Sequence, residues 1–119
     1  MPSTVAPGQL ATITFTLENT GDETVNLTFN TGCQVLPYIR VRTTNVIVYP
    51  TGGDWACTVV ITQLSLHPGG SVQRVVRVRE LNTPGDADVV LPPGEYQTFA
   101  RLDDIRVRLQ ADPISFTVQ

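Results

Sequence analysis

At 119 residues the chain has the length of one domain, enough for a hydrophobic core and too short for two. Charged residues make up 16% and apolar residues 41%, which excludes disorder driven by charge, and the formal net charge of -3 argues against binding nucleic acid through bulk charge. One His, one Met and two Cys leave few ligands for a transition metal, which argues against a zinc or copper enzyme, and no cofactor is expected. No apolar run approaches the roughly 18 residues of a membrane span. The opening Met1-Pro2-Ser3-Thr4 lacks the basic start and apolar stretch of a signal peptide. Sixteen Val, 16 Thr and 6 Ile make 38 of 119 residues β-branched, a composition that packs well on pleated surfaces and poorly in helices.

Along the chain, Ala11, Ile13, Phe15 and Leu17 alternate with Thr12, Thr14 and Thr16, which predicts a half-buried strand ending at the turn cluster Asn19-Thr20-Gly21-Asp22. Val25, Leu27 and Phe29 alternate with polar residues in a second strand, so the chain is expected to open as a hairpin. Ile39 and Val41 alternate with Arg40 and Arg42 in a third strand, and residues 46–49 form a short fourth before Pro50-Thr51-Gly52-Gly53. Residues 58–66 read as extended and apolar, stopped by His67-Pro68-Gly69-Gly70. The next strand covers residues 71–80, with Val76 and Val78 inward and Arg77 and Arg79 outward, followed by a loop at 82–88. Residues 95–102 place Tyr96, Thr98, Ala100 and Leu102 inward, residues 105–109 extend a hairpin or add a strand, and Ile114, Phe116 and Val118 mark a terminal strand. No segment has helical periodicity with caps, and turn signals recur about every 8 to 12 residues. The expectation is an all-β chain forming one domain over residues 1–119. Seven or eight antiparallel strands would make a sandwich, with Phe15, Leu27, Phe29, Val76, Tyr96 and Phe116 buried.

Three stretches carry a resemblance to known sandwiches. Leu91-Pro92-Pro93-Gly94-Glu95-Tyr96 looks like the turn before the sixth strand of immunoglobulin-like and fibronectin type III folds. That resemblance implies a Tyr96 hydroxyl bonded back to the corner backbone. Leu66-His67-Pro68-Gly69-Gly70-Ser71 resembles the Leu-x-Pro-Gly turn before the preceding strand. Phe15-Thr16-Leu17-Glu18-Asn19, Val25-Asn26-Leu27-Thr28-Phe29 and Thr31-Gly32-Cys33-Gln34 follow one another as in BsuPI-type intracellular proteinase inhibitor domains. The resemblance spans roughly residues 10–118, and of that family's aromatic-rich segments only Tyr38 and Trp55 are matched. It implies protease binding.

Cys33 and Cys57 each sit beside a turn, and an even pair in a small Thr-rich β domain favours a disulfide and an oxidising compartment. Two reduced thiols in a cytosolic protein are the alternative. In the immunoglobulin-like order, Arg40, Arg42, Arg101, Arg106 and Arg108 fall on strands of one sheet, and Phe99 and Gln97 share the outward phase of Arg101. Arg40, Arg42, Phe99 and Arg101 are therefore a candidate interaction face, an exposed aromatic among guanidiniums. The plainer reading is a solvated face whose Arg side chains pair with Glu95, Asp103 and Asp104. Asn82, Asp86 and Asp88 offer three oxygen side chains to calcium or form an ordinary loop. No pair of side chains suits nucleophilic catalysis, since His67 is the only histidine and sits in a turn.

The leading expectation is a non-enzymatic immunoglobulin-like interaction or structural module with an unidentified protein partner, located extracytoplasmically as a trimmed part of an exported or envelope-anchored bacterial protein. The rival is a cytoplasmic proteinase inhibitor that presents a loop to its enzyme. For that role the longest loops are residues 50–57 and 81–94.

Overall fold

The computed structural model describes residues 3–103 and 108–119, and within them the chain is all-β, with eleven strands and no helix. The strands are β1 (Thr4–Val5), β2 (Leu10–Glu18), β3 (Val25–Phe29), β4 (Val35–Val41), β5 (Ile47–Tyr49), β6 (Thr62–Leu66), β7 (Ser71–Glu80), β8 (Val89–Leu91), β9 (Gly94–Asp103), β10 (Arg108–Gln110) and β11 (Ile114–Val118). Period-2 patterning accounts for the long ones. In β2, Ala11 and Ile13 are buried while Thr12, Thr14 and Thr16 face water, and in β7, Val76 and Val78 are buried while Arg77 is exposed.

One sheet runs β1-β11-β9-β4-β5, with β10 also against β9; a second runs β2-β7-β8, and β3 and β6 form a separate ribbon. The first two layers close on one core. Ala11, Ile13, Val76, Val78, Val89 and Leu91 pack against Val5, Ile39, Tyr96, Phe116 and Val118. A smaller cluster of Leu27, Phe29 and Leu102 joins the ribbon to β9. Of the six side chains expected inside, Phe15 alone is only half-buried, at the rim of the main core.

The structure corrects the sequence reading in three respects. The strand count exceeds the expected seven or eight because β1 and β8, of two and three residues, are too short to show alternation. Both pair in parallel, β1 with β11 and β8 with β7, so the sheets are mixed. The expected opening hairpin does not form, since β2 pairs with β7 and β3 with β6. Asn19, which ends β2, directs this crossing. Its backbone exchanges hydrogen bonds with Gly69 and Gly70, and its side-chain amide donates to the carbonyls of Leu66 (2.9 Å) and Glu23 (2.7 Å). The turn after β6 is thereby locked beside the end of β2. Gly69 holds it with a φ of 77°, a left-handed conformation that side chains resist. The corner tyrosine is in place, with the Tyr96 hydroxyl donating to the Pro92 carbonyl at 2.7 Å.

Candidate functional site

The outward faces of β4 and β9 carry three cross-strand pairs, Leu36 with Arg101, Tyr38 with Phe99 and Arg40 with Gln97. The Tyr38 and Phe99 rings stack, with centroids 5.2 Å apart and planes 14° from parallel. Arg40 lies over the Phe99 ring at 5.1 Å and donates from Nε to Gln97 Oε1 at 3.0 Å. Arg101 lies over the Tyr38 ring at 4.8 Å and donates to its hydroxyl at 2.7 Å. Each guanidinium thus spans to an aromatic ring on the neighbouring strand.

This face is covered. Residues 50–57 fold back across it, and Leu36, Tyr38 and Phe99 form a second apolar cluster beneath Ile47, Trp55 and the Cys33 and Cys57 side chains. Pro37 has no N–H to give, and its carbonyl accepts the Trp55 indole N–H at 2.8 Å, so Trp55 acts as the strand's neighbour there. Trp55 also meets Tyr49 edge-on at 5.3 Å, with Arg74 over its ring at 5.7 Å. Burial raises the Tyr49 phenol above its usual pKa; the Asp88 carboxylate adds to this and Arg74 opposes it. The Tyr96 phenol is raised by burial.

The candidate interaction face therefore needs correction. Arg40, Phe99 and Arg101 do share one sheet face, with Arg42 in the turn just after β4, but Phe99 is only 7% exposed and cannot serve as an exposed anchor. Its phase is outward as expected; the covering segment, distant in sequence, buries it. Arg42 pairs with Glu95 at 3.7 Å in open solvent, a contact worth about 0 to 1 kcal/mol. Arg106 and Asp104 lie outside the described residues.

Cys33 and Cys57 are joined by a disulfide with Cα atoms 5.5 Å apart. Just past it, residues 58–61 are not the start of a strand, as the apolar run suggested, but an exposed connection before β6. The turn at residues 31–33 grips both of its ends. The Gly32 N–H donates to the Thr58 carbonyl at 3.0 Å, and the Thr62 hydroxyl donates to the Thr31 carbonyl at 2.8 Å. A Cβ at Gly32 would collide with Thr58 Oγ1, so any larger residue there would force the Thr58 hydroxyl to move. Between these anchors Val59, Val60 and Ile61 are 98%, 51% and 69% exposed. The sequence reads this run as part of an extended, apolar strand. The available signal was five consecutive β-branched residues, Thr58 to Thr62, without alternation, directly after a cysteine.

The other candidates do not converge. Asn82 is held by Glu80, whose carboxylate accepts its backbone N–H at 2.8 Å and its side-chain amide at 3.2 Å. Asp88 accepts the Arg77 N–H at 2.8 Å. Among the described residues no group of three or more His, Cys, Asp or Glu side chains could hold a metal ion. The expected loop at 81–94 is partly strand, because β8 lies within it. No helix among the described residues is long and apolar enough to cross a membrane.

With this geometry established, the comparisons with known proteins bear on the two expectations. Residues 3–107 match BsuPI, described as intracellular proteinase inhibitor, and the chain belongs to that family. A search of curated proteins found no match. Among solved structures, the chain is similar to Pseudomonas fluorescens alkylpurine DNA glycosylase AlkC bound to DNA containing an abasic site analog. That likeness has 21% identity and a TM-score of 0.46, covering 99% of this chain and 28% of that one. The chain thus spans 28% of the length of that protein. The family match overturns the leading expectation of an exported, non-enzymatic immunoglobulin-like module. The extracytoplasmic location falls with it, because the family is described as intracellular. The cysteine argument for an oxidising compartment rested on one pair of residues, whereas the match spans most of the chain.

Proposed function

We propose that the chain inhibits an endoprotease inside the cell and meets it with residues 58–61. Membership in an intracellular proteinase inhibitor family is the observation that carries this reading, and the geometry supports the choice of segment. A protease takes its substrate into a cleft, so an inhibitor needs a projecting segment whose backbone is already ordered. Residues 58–61 project between two fixed points, the disulfide at Cys57 and the first ladder residue of β6 at Thr62. The covered cluster of Leu36, Tyr38, Phe99 and Trp55 is the support under the first of these points. Arg40 and Arg101 wall that support, and their contacts with the enzyme lie at the rim.

The test is titration of the purified chain against serine, cysteine and metallo-endoproteases with fluorogenic peptide substrates. The expected result is stoichiometric inhibition of at least one enzyme, lost when residues 58–61 are replaced by Gly-Ser-Gly-Ser in a chain that still unfolds cooperatively. Inhibition that survives the replacement would move the contact elsewhere, and 81–94 would be the next segment to replace.

A further inference from the structure

Val59 is the apex of the projecting segment. The Val60 N–H donates to the Thr58 carbonyl at 3.0 Å, a three-residue turn centred on Val59. Among the described residues Asn45 is the sole non-glycine with positive φ, so this is the common inverse γ-turn. A valine 98% exposed reverses the usual placement of an aliphatic side chain, and two more exposed aliphatic residues follow it. The surroundings are equally one-sided in charge: residues 56–66 contain no Asp, Glu, Lys or Arg.

Resting on the inhibitor reading above, we infer that Val59 fills the primary specificity pocket of the target, and that the target is an endoprotease whose pocket takes small branched aliphatic side chains. A pocket selective for basic residues carries a buried carboxylate that would be left unpaired by valine, and a deep aromatic slot would be left part-empty. A shallow apolar pocket suffers neither penalty. Valine's single dominant χ1 choice means that little side-chain freedom is lost on insertion.

Pancreatic elastase serves as the probe for a small aliphatic pocket and trypsin for a basic one. Wild type is expected to inhibit elastase and leave trypsin active, Val59→Ala to weaken elastase inhibition about tenfold, and Val59→Arg to weaken it about a hundredfold while gaining inhibition of trypsin. Because Val59 touches so little, both variants should keep the wild-type unfolding midpoint. Thr14→Arg, on a remote face, controls for added charge and should inhibit like wild type. Elastase whose pocket is blocked by a covalent aliphatic peptidyl inhibitor should no longer bind the chain. Equal inhibition of elastase by wild type and Val59→Arg would overturn the pocket assignment while leaving the inhibitor reading intact. A wild-type chain that prefers trypsin would do the same. Absence of inhibition by wild type across all the endoproteases tested would overturn both.

Discussion

The outward faces of two strand pairs, β2 with β7 and β4 with β9, begin from the same pattern and end differently. Thr12 opposite Arg77, Thr14 opposite Val75 and Thr16 opposite Gln73 all lie in solvent. Leu36, Tyr38 and Phe99, equally outward in phase, are 7%, 4% and 7% exposed. Alternation tells which side of a sheet a residue faces, and it is silent on whether another segment lies there. The difference is residues 50–57, which the Cys33 to Cys57 disulfide and the Trp55 indole fasten over one face, whereas the threonines of the other stay exposed. The covered face packs beneath Cys57, just ahead of residues 58–61. The open face is a solvated surface that tolerates change.

Removing what is covered tests this contrast most severely. Phe99→Ala is expected to cost about 4 kcal/mol of stability, the range for truncating a buried phenylalanine, whereas Thr14→Ala should stay within about 0.5 kcal/mol. Urea unfolding of both variants measures the comparison. A small loss for Phe99→Ala would mean that residues 50–57 rest only loosely on the sheet.

The same comparison marks what could be read from the sequence. The strands at 10–18 and 71–80 were legible because each alternates over many residues and ends at a turn cluster with a stated chemistry. Their pairing with each other was not legible. Asn19 finds its partners at Leu66, Gly69 and Gly70 across the fold, and such non-local bonds leave no local pattern. Arg40 and Arg101 were correctly assigned to one face from phase, while the burial of Phe99 depended on a cover 42 to 49 residues away in sequence. Residues 58–61 misled for the opposite reason: the apolar run reads as part of an extended strand, yet Val59, Val60 and Ile61 lie exposed ahead of β6.

Replacing both cysteines by serine sharpens the contrast further by freeing the cover. The disulfide spans a sequence separation of 24, and its loss is expected to cost about 3 kcal/mol in the chain-entropy account. Because Cys57 adjoins residues 58–61, inhibition should weaken about tenfold even at temperatures where the variant stays folded, the ordering cost having moved to the binding step. Unchanged inhibition with lowered stability would confine the bond to a purely structural role. Arg40→Ala probes the wall of the cluster more gently. Loss of its bond to Gln97 and its position over Phe99 should cost about 1 kcal/mol, with inhibition within a few-fold of wild type. A large loss of inhibition with stability intact would return the arginine face to the role of contact surface.

The smallest effect expected is with pH, and it sets Tyr49 at the edge of the cover against the exposed threonines, which do not titrate. Burial, helped by the Asp88 carboxylate, favours the neutral phenol of Tyr49 in the folded chain, and burial does the same for Tyr96. Above the ordinary tyrosine pKa of about 10 the unfolded chain has released protons that the folded chain still holds. The unfolded state then binds fewer protons, so the free energy of unfolding falls as pH rises. The stability these phenols confer is complete below pH 10 and is lost as pH climbs through their raised folded values. Urea midpoints measured between pH 8 and 11 should therefore be flat at first and then decline. Tyr49→Phe should reduce that decline while leaving the remainder due to Tyr96. If the decline is the same with and without Tyr49, its phenol is no better shielded in the folded chain than in the unfolded one, and the cover does not reach as far as β5.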